Sequence, residues 1–142
     1  MKTLCKHYPD AARLLLRVGL AAVLIVHGWA KVQNIDPFIG MITGLGLPAL
    51  FAYLVAALEF VGGIFLLVGL LTEWVAWLVA LQFLVIVLYV KRGADFVGGT
   101  ELDFLVLFTA AGVALLGAGQ YALDARLESG KDTVPQQTEK DK

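Results

Sequence analysis

Three side chains in this 142-residue chain have types and spacing suited to chemistry inside an apolar environment: His27, Lys31 and Glu59. His27 and Lys31 are four residues apart, so on a helix they share one face. An imidazole exchanges a proton near neutral pH, an ammonium stabilises developing negative charge, and a carboxylate holds or relays a proton. Glu59 is the tenth residue of "LFAYLVAALEFVGGIFLLVGLL". From there a glutamate cannot reach water ~15 Å away, so it must be protonated or paired with a cation. The expected catalytic set is His27, Lys31 and Glu59.

The elements that position them follow from hydropathy. The chain is 59% hydrophobic with a mean hydropathy of +0.80, well above the ~45–50% apolar share of a soluble domain. Four apolar stretches, residues 13–32, 50–71, 74–91 and 101–118, are each close to the ~20 residues that cross a bilayer core. None alternates with a period of two, and backbone in lipid must bond to itself, so each is expected to be a helix. The fold class is therefore all-α, an integral membrane four-helix bundle occupying residues 1–124. Between the first two spans, Asp36-Pro37 reads as N-cap and first helical residue, and Gly46 with Pro48 as a stop. Phe38, Ile39, Met41, Ile42 and Leu45 would make a short interfacial or re-entrant helix there. Thr72-Glu73 is a tight turn between antiparallel spans, and residues 91–100 form a polar, Gly-rich loop. From Ala125 the chain is polar and expected to be a disordered cytoplasmic tail.

Lys2, Lys6, Arg13, Arg17, Arg126 and Lys131 lie on the side of the termini, and Lys31, Lys91 and Arg92 on the other. That bias places both termini in the cytoplasm. The first span could instead be read as a signal peptide cleaved near Ala30, but its charged leader is long and cleavage would discard the histidine, so retention is expected.

On the first span, Arg13, Arg17, His27 and Lys31 fall within about ±40° of one another at ~100° per residue. The two arginines at one end, and Lys31 at the other, can snorkel to headgroups. His27 can be satisfied by a backbone carbonyl, or it can join Lys31 as a cationic partner for Glu59. Gly62 and Gly63, one turn beyond the acid, let a backbone or a flat ligand approach it. Gln82 is suited to hydrogen bonding across helices, and secondarily to ligand contact. Thr100 and Asp103 match a capping box, and Glu101 sits where it could complete a polar mouth. The expected cofactor-binding set is His27, Glu59, Gly62, Gly63, Gln82 and Glu101. Trp29, Trp74, Trp77 and Tyr89 read as an aromatic belt.

Several classes are disfavoured. A net charge of −1 offers no case for nucleic acid. Cys5 alone excludes an intrachain disulfide or a cysteine metal site. His27 and Glu59 are too few for a closed metal centre, and His7 lies outside the spans, so no metal site and no bis-histidine haem is expected.

These stretches carry a family resemblance. "RLLLRVGLAAVLIVHGWAKV" resembles the first span of the DoxX family with its HGxxK element. "GLGLPALFAYLVAALEFVGGIFLLVGLLTEW" resembles the family's Gly-Leu-Pro entry, intramembrane Glu with Gly-Gly, and Leu-Gly-Leu-Thr turn. "GAGQYALD" is similar to its closing GPGxxSLD, with Ala118 and Ala122 replacing Pro and Ser. The resemblance covers residues 12–124. It implies a four-span protein of the bacterial inner membrane, with site residues at His27, Lys31 and Glu59 and a fourth-span acid at Glu101. It also implies an oxidoreductase subunit in quinone-linked or oxidative-stress chemistry, since the family takes its name from a membrane subunit of a thiosulfate:quinone oxidoreductase. No cysteine stands where sulfur chemistry would need it. The expected partners are the lipid bilayer and a soluble or membrane oxidoreductase. Two other functions stay open. One is a small proton-coupled transporter, which with four spans would require a homo-oligomer. The other is a non-catalytic anchor or assembly factor for a soluble enzyme.

Overall fold

The computed structural model describes residues 8–129. The described residues contain helices and turns but no strand: α1 (Pro9–Gln33), α2 (Ile35–Gly44), α3 (Leu50–Val68), α4 (Thr72–Val85), α5 (Glu101–Leu116) and α6 (Leu123–Ser129). α4 runs on into a π-helical turn over Ile86–Val90. A second such turn, Phe96–Thr100, leads into α5 and is broken at Val97 and Gly98. Four helical stretches, Pro9–Gln33, Leu50–Val68, Thr72–Val90 and Phe96–Leu116, are long and apolar enough to cross a membrane. The all-α membrane bundle is what the hydropathy pattern calls for.

α1 packs chiefly against α3, and α4 against α5. The first pairing is set by two glycines. A Cβ on Gly28 would stand 2.4 Å from the Phe60 nitrogen, and one on Gly63 would stand 2.8 Å from Ile25 Cγ1 and 3.0 Å from the Ile25 nitrogen. Small residues thus let the two backbones touch. Carried along the antiparallel pair, these contacts set Gln33 level with about Val55. At ~1.5 Å per residue, α1 stops about 7 Å short of the start of α3. α2 begins there, one residue after α1, and lies across the shortfall, which is the geometry of an interfacial helix. It starts at Ile35 with Asn34 as N-cap, two residues earlier than the Asp36-Pro37 signal suggests. The Asn34 amide donates to Ala30 O (3.1 Å) and closes α1 instead of capping α2. The expected stop is present: Gly46 has φ +81°, and bonds from Gly46 N to Thr43 O and Leu47 N to Ile42 O make a Schellman end.

The interior on the terminal side of Glu59 is a dry core of Leu20, Leu24, Leu66, Val79 and Val113 with small alanines between them. Arg17 departs from the snorkelling expectation. It is 2% exposed, and its guanidinium donates to Ala118 O (2.8 Å) and Tyr121 O (3.1 Å). Carbonyls freed by the end of α5 at Gly117 (φ +73°) supply what headgroups would have supplied. The same returning segment brings Asp124 under the α3–α4 turn. Its carboxylate accepts Leu71 N and Thr72 N, both at 2.9 Å, and its own N–H donates to Gly69 O. This anchoring makes Leu123–Ser129 a helix where a disordered tail was expected from Ala125. The remainder of that tail lies outside the described residues.

Candidate functional site

On the opposite side of Glu59 the bundle opens. Glu59 is completely buried, nine residues from each end of α3 and therefore at mid-membrane. Its Oε2 accepts the Lys31 ammonium, and its Oε1 accepts Gln82 Nε2 at 2.8 Å. The cation comes from the last turn of α1 and the amide from α4, so one carboxylate ties three helices together. Lys31 reaches in from about half a turn nearer the face opposite the termini, and its ammonium also lies 5.5 Å from the centre of the Phe38 ring on α2. Burying a single charge costs several kcal/mol, and here it is offset by an opposite charge and a second hydrogen bond.

Above this triad is a cavity of about 670 Å³, within the ~300–1,000 Å³ usual for small-molecule sites. Its walls are overwhelmingly apolar. His27, Lys31, Glu59 and Gln82 gather toward one end of it, and Lys91 and Asp103 line it nearer the face opposite the termini. Lys91 Nζ donates to Asp103 Oδ2 (2.6 Å) and Gly99 O (2.9 Å). α2 covers that side, tethered by the Tyr89 hydroxyl to Leu45 O (3.3 Å).

The expected site residues are thus partly assembled. Lys31, Glu59 and Gln82 meet directly. His27 lines the same cavity but makes no hydrogen bond to Glu59, whose oxygens accept from Lys31 and Gln82. Gly62 and Gly63 do not line the cavity. Gly63 packs against α1, and Gly62 faces Val75 of α4 at a would-be Cβ distance of 3.2 Å. Glu101 is exposed and lies outside the cavity lining. Asp103 is the functional candidate that sequence reasoning missed. It fits a capping pattern, yet Thr100 makes no side-chain cap, and Asp103 pairs with Lys91 instead. The signal that could have found it is the matching position of Lys91 at the outer end of the preceding span.

Chemically, the arrangement offers the Lys31 ammonium and the exposed His27 imidazole close to a buried acid midway along α3, in a largely apolar space. Every ammonium in the lining has a carboxylate partner, so the site as a whole is close to neutral.

Comparison with known proteins agrees with this architecture. The chain is 39% identical over 122 residues to the protein named "Putative oxidoreductase CatD" of Bacillus subtilis (strain 168), covering 86% of this chain and 91% of that one. It is 28% identical over 126 residues to "Inner membrane protein YqjF" of Escherichia coli (strain K12), covering 86% and 96%. No solved structure matches. The DoxX family model matches residues 12–92, a stretch that holds the Gly28 and Gly63 crossing and the whole Lys31–Glu59–Gln82 triad. With more than half its length in that match, this four-span membrane protein belongs to the DoxX family.

Proposed function

We propose that this protein is the membrane component of a quinone-linked redox or oxidative-stress system, and that its outer cavity binds a quinone or a similarly flat, oxygen-bearing small molecule. One observation carries the reading: a fully buried carboxylate at mid-membrane, bonded to Lys31 and Gln82, stands at the end of an apolar cavity of ligand size. The name of the Bacillus subtilis relative points the same way.

The residues fit such a ligand. A bound quinone would supply the electron-accepting chemistry. Lys31 retains N–H donors beyond the one given to Glu59, and His27 offers a ring N–H, so a carbonyl oxygen at this end can be hydrogen-bonded from two sides. Glu59 fixes the ammonium in place, and Gln82 fixes Glu59. His27, free of the acid, can give up or take a proton toward the cavity. The dry walls strengthen each of these interactions. In this reading the chain lies in a bacterial inner membrane with both termini cytoplasmic, and a soluble or membrane oxidoreductase exchanges electrons with the bound molecule.

The test is extraction and mass spectrometry of small molecules from protein purified in mild detergent, together with titration of added quinone. Wild type binds and Glu59→Gln binds at least tenfold more weakly. Unchanged binding and unchanged quinone-linked activity in Glu59→Gln would remove the reading. Co-purification of a soluble enzyme whose activity survives that substitution would leave the bundle as a scaffold.

A further inference from the structure

The cavity is closed toward the termini and open sideways. Below Glu59 the interior is filled by Leu24, Leu66 and Val79, each without accessible surface, and no polar side chain continues from the acid toward that face until Arg17 and Thr72. This packing leaves no open path from the cavity to the face that holds the termini. Toward the other face, α3 and α4 separate. They touch near their shared turn, where Gly62 meets Val75. Leu54 of α3 and Leu78, Leu81 and Val85 of α4, which run from one turn on the terminal side of Gln82 to about one turn beyond it, line the cavity while being 53%, 52%, 58% and 47% exposed. Exposed lining side chains contributed by both helices along this one side mark an opening between them. In a bilayer that outside is acyl chain, not water.

Two further features define what can enter. Lys31 and Lys91 are each neutralised by a carboxylate, so an anion would find no free cation and would still have to cross hydrocarbon. α2 roofs the outer side and is held by the Tyr89–Leu45 bond, which obstructs direct entry from water. The gap begins beside the polar end: Leu81 adjoins Gln82, and Val85 and Leu54 lie about one turn from Gln82 and Glu59 along their helices.

From this, the geometry points to a lateral portal between α3 and α4, near mid-membrane, that admits a neutral lipid-dissolved ligand with an oxygen-bearing ring and a hydrocarbon tail. The ring lies at Lys31, Glu59 and Gln82, and the tail leaves through the gap lined by Leu54 and Leu81 into the acyl chains. This deepens the proposed function and rests on it, adding the route and the need for a tail. Each methylene that stays against apolar walls or lipid adds to affinity without demanding a polar partner.

The experiment uses the full chain in lipid nanodiscs and two matched probes, a fully substituted dimethoxy-benzoquinone carrying either one further methyl or a ten-carbon chain on the ring. Binding to wild type, Leu81→Trp and the control Leu105→Trp is compared by displacement with free-probe concentration measured directly. Leu105 is 64% exposed on α5 and away from the cavity. Leu81→Trp is expected to weaken the tailed probe by roughly tenfold or more, about 1.4 kcal/mol, and the short probe by less than about threefold; Leu105→Trp changes neither. A photoreactive diazirine on the tail should label α3 and α4 around Leu54 and Leu81. Equal affinity for both probes in all three proteins, or tail labelling on α1 or α5, would overturn the portal while leaving quinone binding intact. Failure of both probes to bind wild type would overturn the proposed function and the portal with it.

Discussion

Gly28 lies flat against the backbone of Phe60, with a would-be Cβ only 2.4 Å from the Phe60 nitrogen and 2.8 Å from the Glu59 carbonyl carbon. The glycine between His27 and Lys31 therefore sets the distance at which the ammonium meets the acid. Gly28→Ala is expected to push α1 off α3 and lower stability by about 1–3 kcal/mol, as overpacking does. Gly19→Ala, where nothing lies within 4 Å, should be neutral. Thermal unfolding of both variants in the same detergent checks the contrast.

The Lys31–Glu59 pair should behave as a buried pair and not as two independent charges. Lys31→Met leaves a carboxylate at mid-membrane without its cation and is expected to cost about 3 kcal/mol or more. Glu59→Gln should cost less than that, and the double variant Lys31→Met/Glu59→Gln should be more stable than the sum of the single losses implies. A double-mutant cycle by thermal or denaturant unfolding measures the coupling. Additive losses would mean the pair does not act together.

Arg17 is expected to be a staple for the segment after α5. Arg17→Met removes donors from Ala118 O and Tyr121 O and should destabilise the protein by about 2–4 kcal/mol. Arg17→Lys should rescue only part of this, because one ammonium cannot reproduce the guanidinium fork. Limited proteolysis provides a local readout: cleavage between Gly117 and Ala122 should appear first in Arg17→Met.

Leu71 has φ +49°, a left-handed backbone that costs a non-glycine residue roughly 1 kcal/mol. It is held there by Asp124, whose carboxylate takes the N–H groups of Leu71 and Thr72 at the start of α4. Asp124→Ala should lower stability by about 1–2 kcal/mol through loss of this cap. Leu71→Gly should be neutral or slightly stabilising, since the strain is removed while the backbone N–H remains. In melting curves, Asp124→Ala should shift to lower temperature and Leu71→Gly should stay in place or shift slightly upward.

What could be read in the residues divides by the kind of physics involved. The spans were legible because hydrocarbon tolerates only self-bonded backbone, and Glu59 was legible because a carboxylate at its depth must have a partner. Antiparallel helices and matching depth narrowed its cationic partner to His27 or Lys31, without choosing between them. Arg17 was misread because hydropathy cannot show that a chain end more than a hundred residues away folds back to offer carbonyls. Asp103 was misread because a local capping pattern and a long-range ion pair look alike in sequence. His27 shows the limit of helical faces: it shares a stripe with Lys31, but Glu59 has two oxygens, and which groups reach them depends on side-chain length and on Gln82 from a third helix. The sideways opening leaves no mark on composition, because lipid-facing and cavity-facing leucines are the same residue.

The π-helical turn at Ile86–Val90 has a consequence for how this site can vary. Such a turn accommodates an additional residue without disturbing the helix before it, so the inner part of α4, with Val79 and Gln82, keeps its packing. Everything after it is rotated. Deleting one residue from that turn would swing Lys91 by about 100° and carry it away from Asp103, while Gln82 stayed on Glu59. The two ion pairs on the cavity are therefore mechanically uncoupled. A one-residue insertion or deletion can redesign the rim without touching the mid-membrane acid, giving related chains a route to different ligands above an unchanged base.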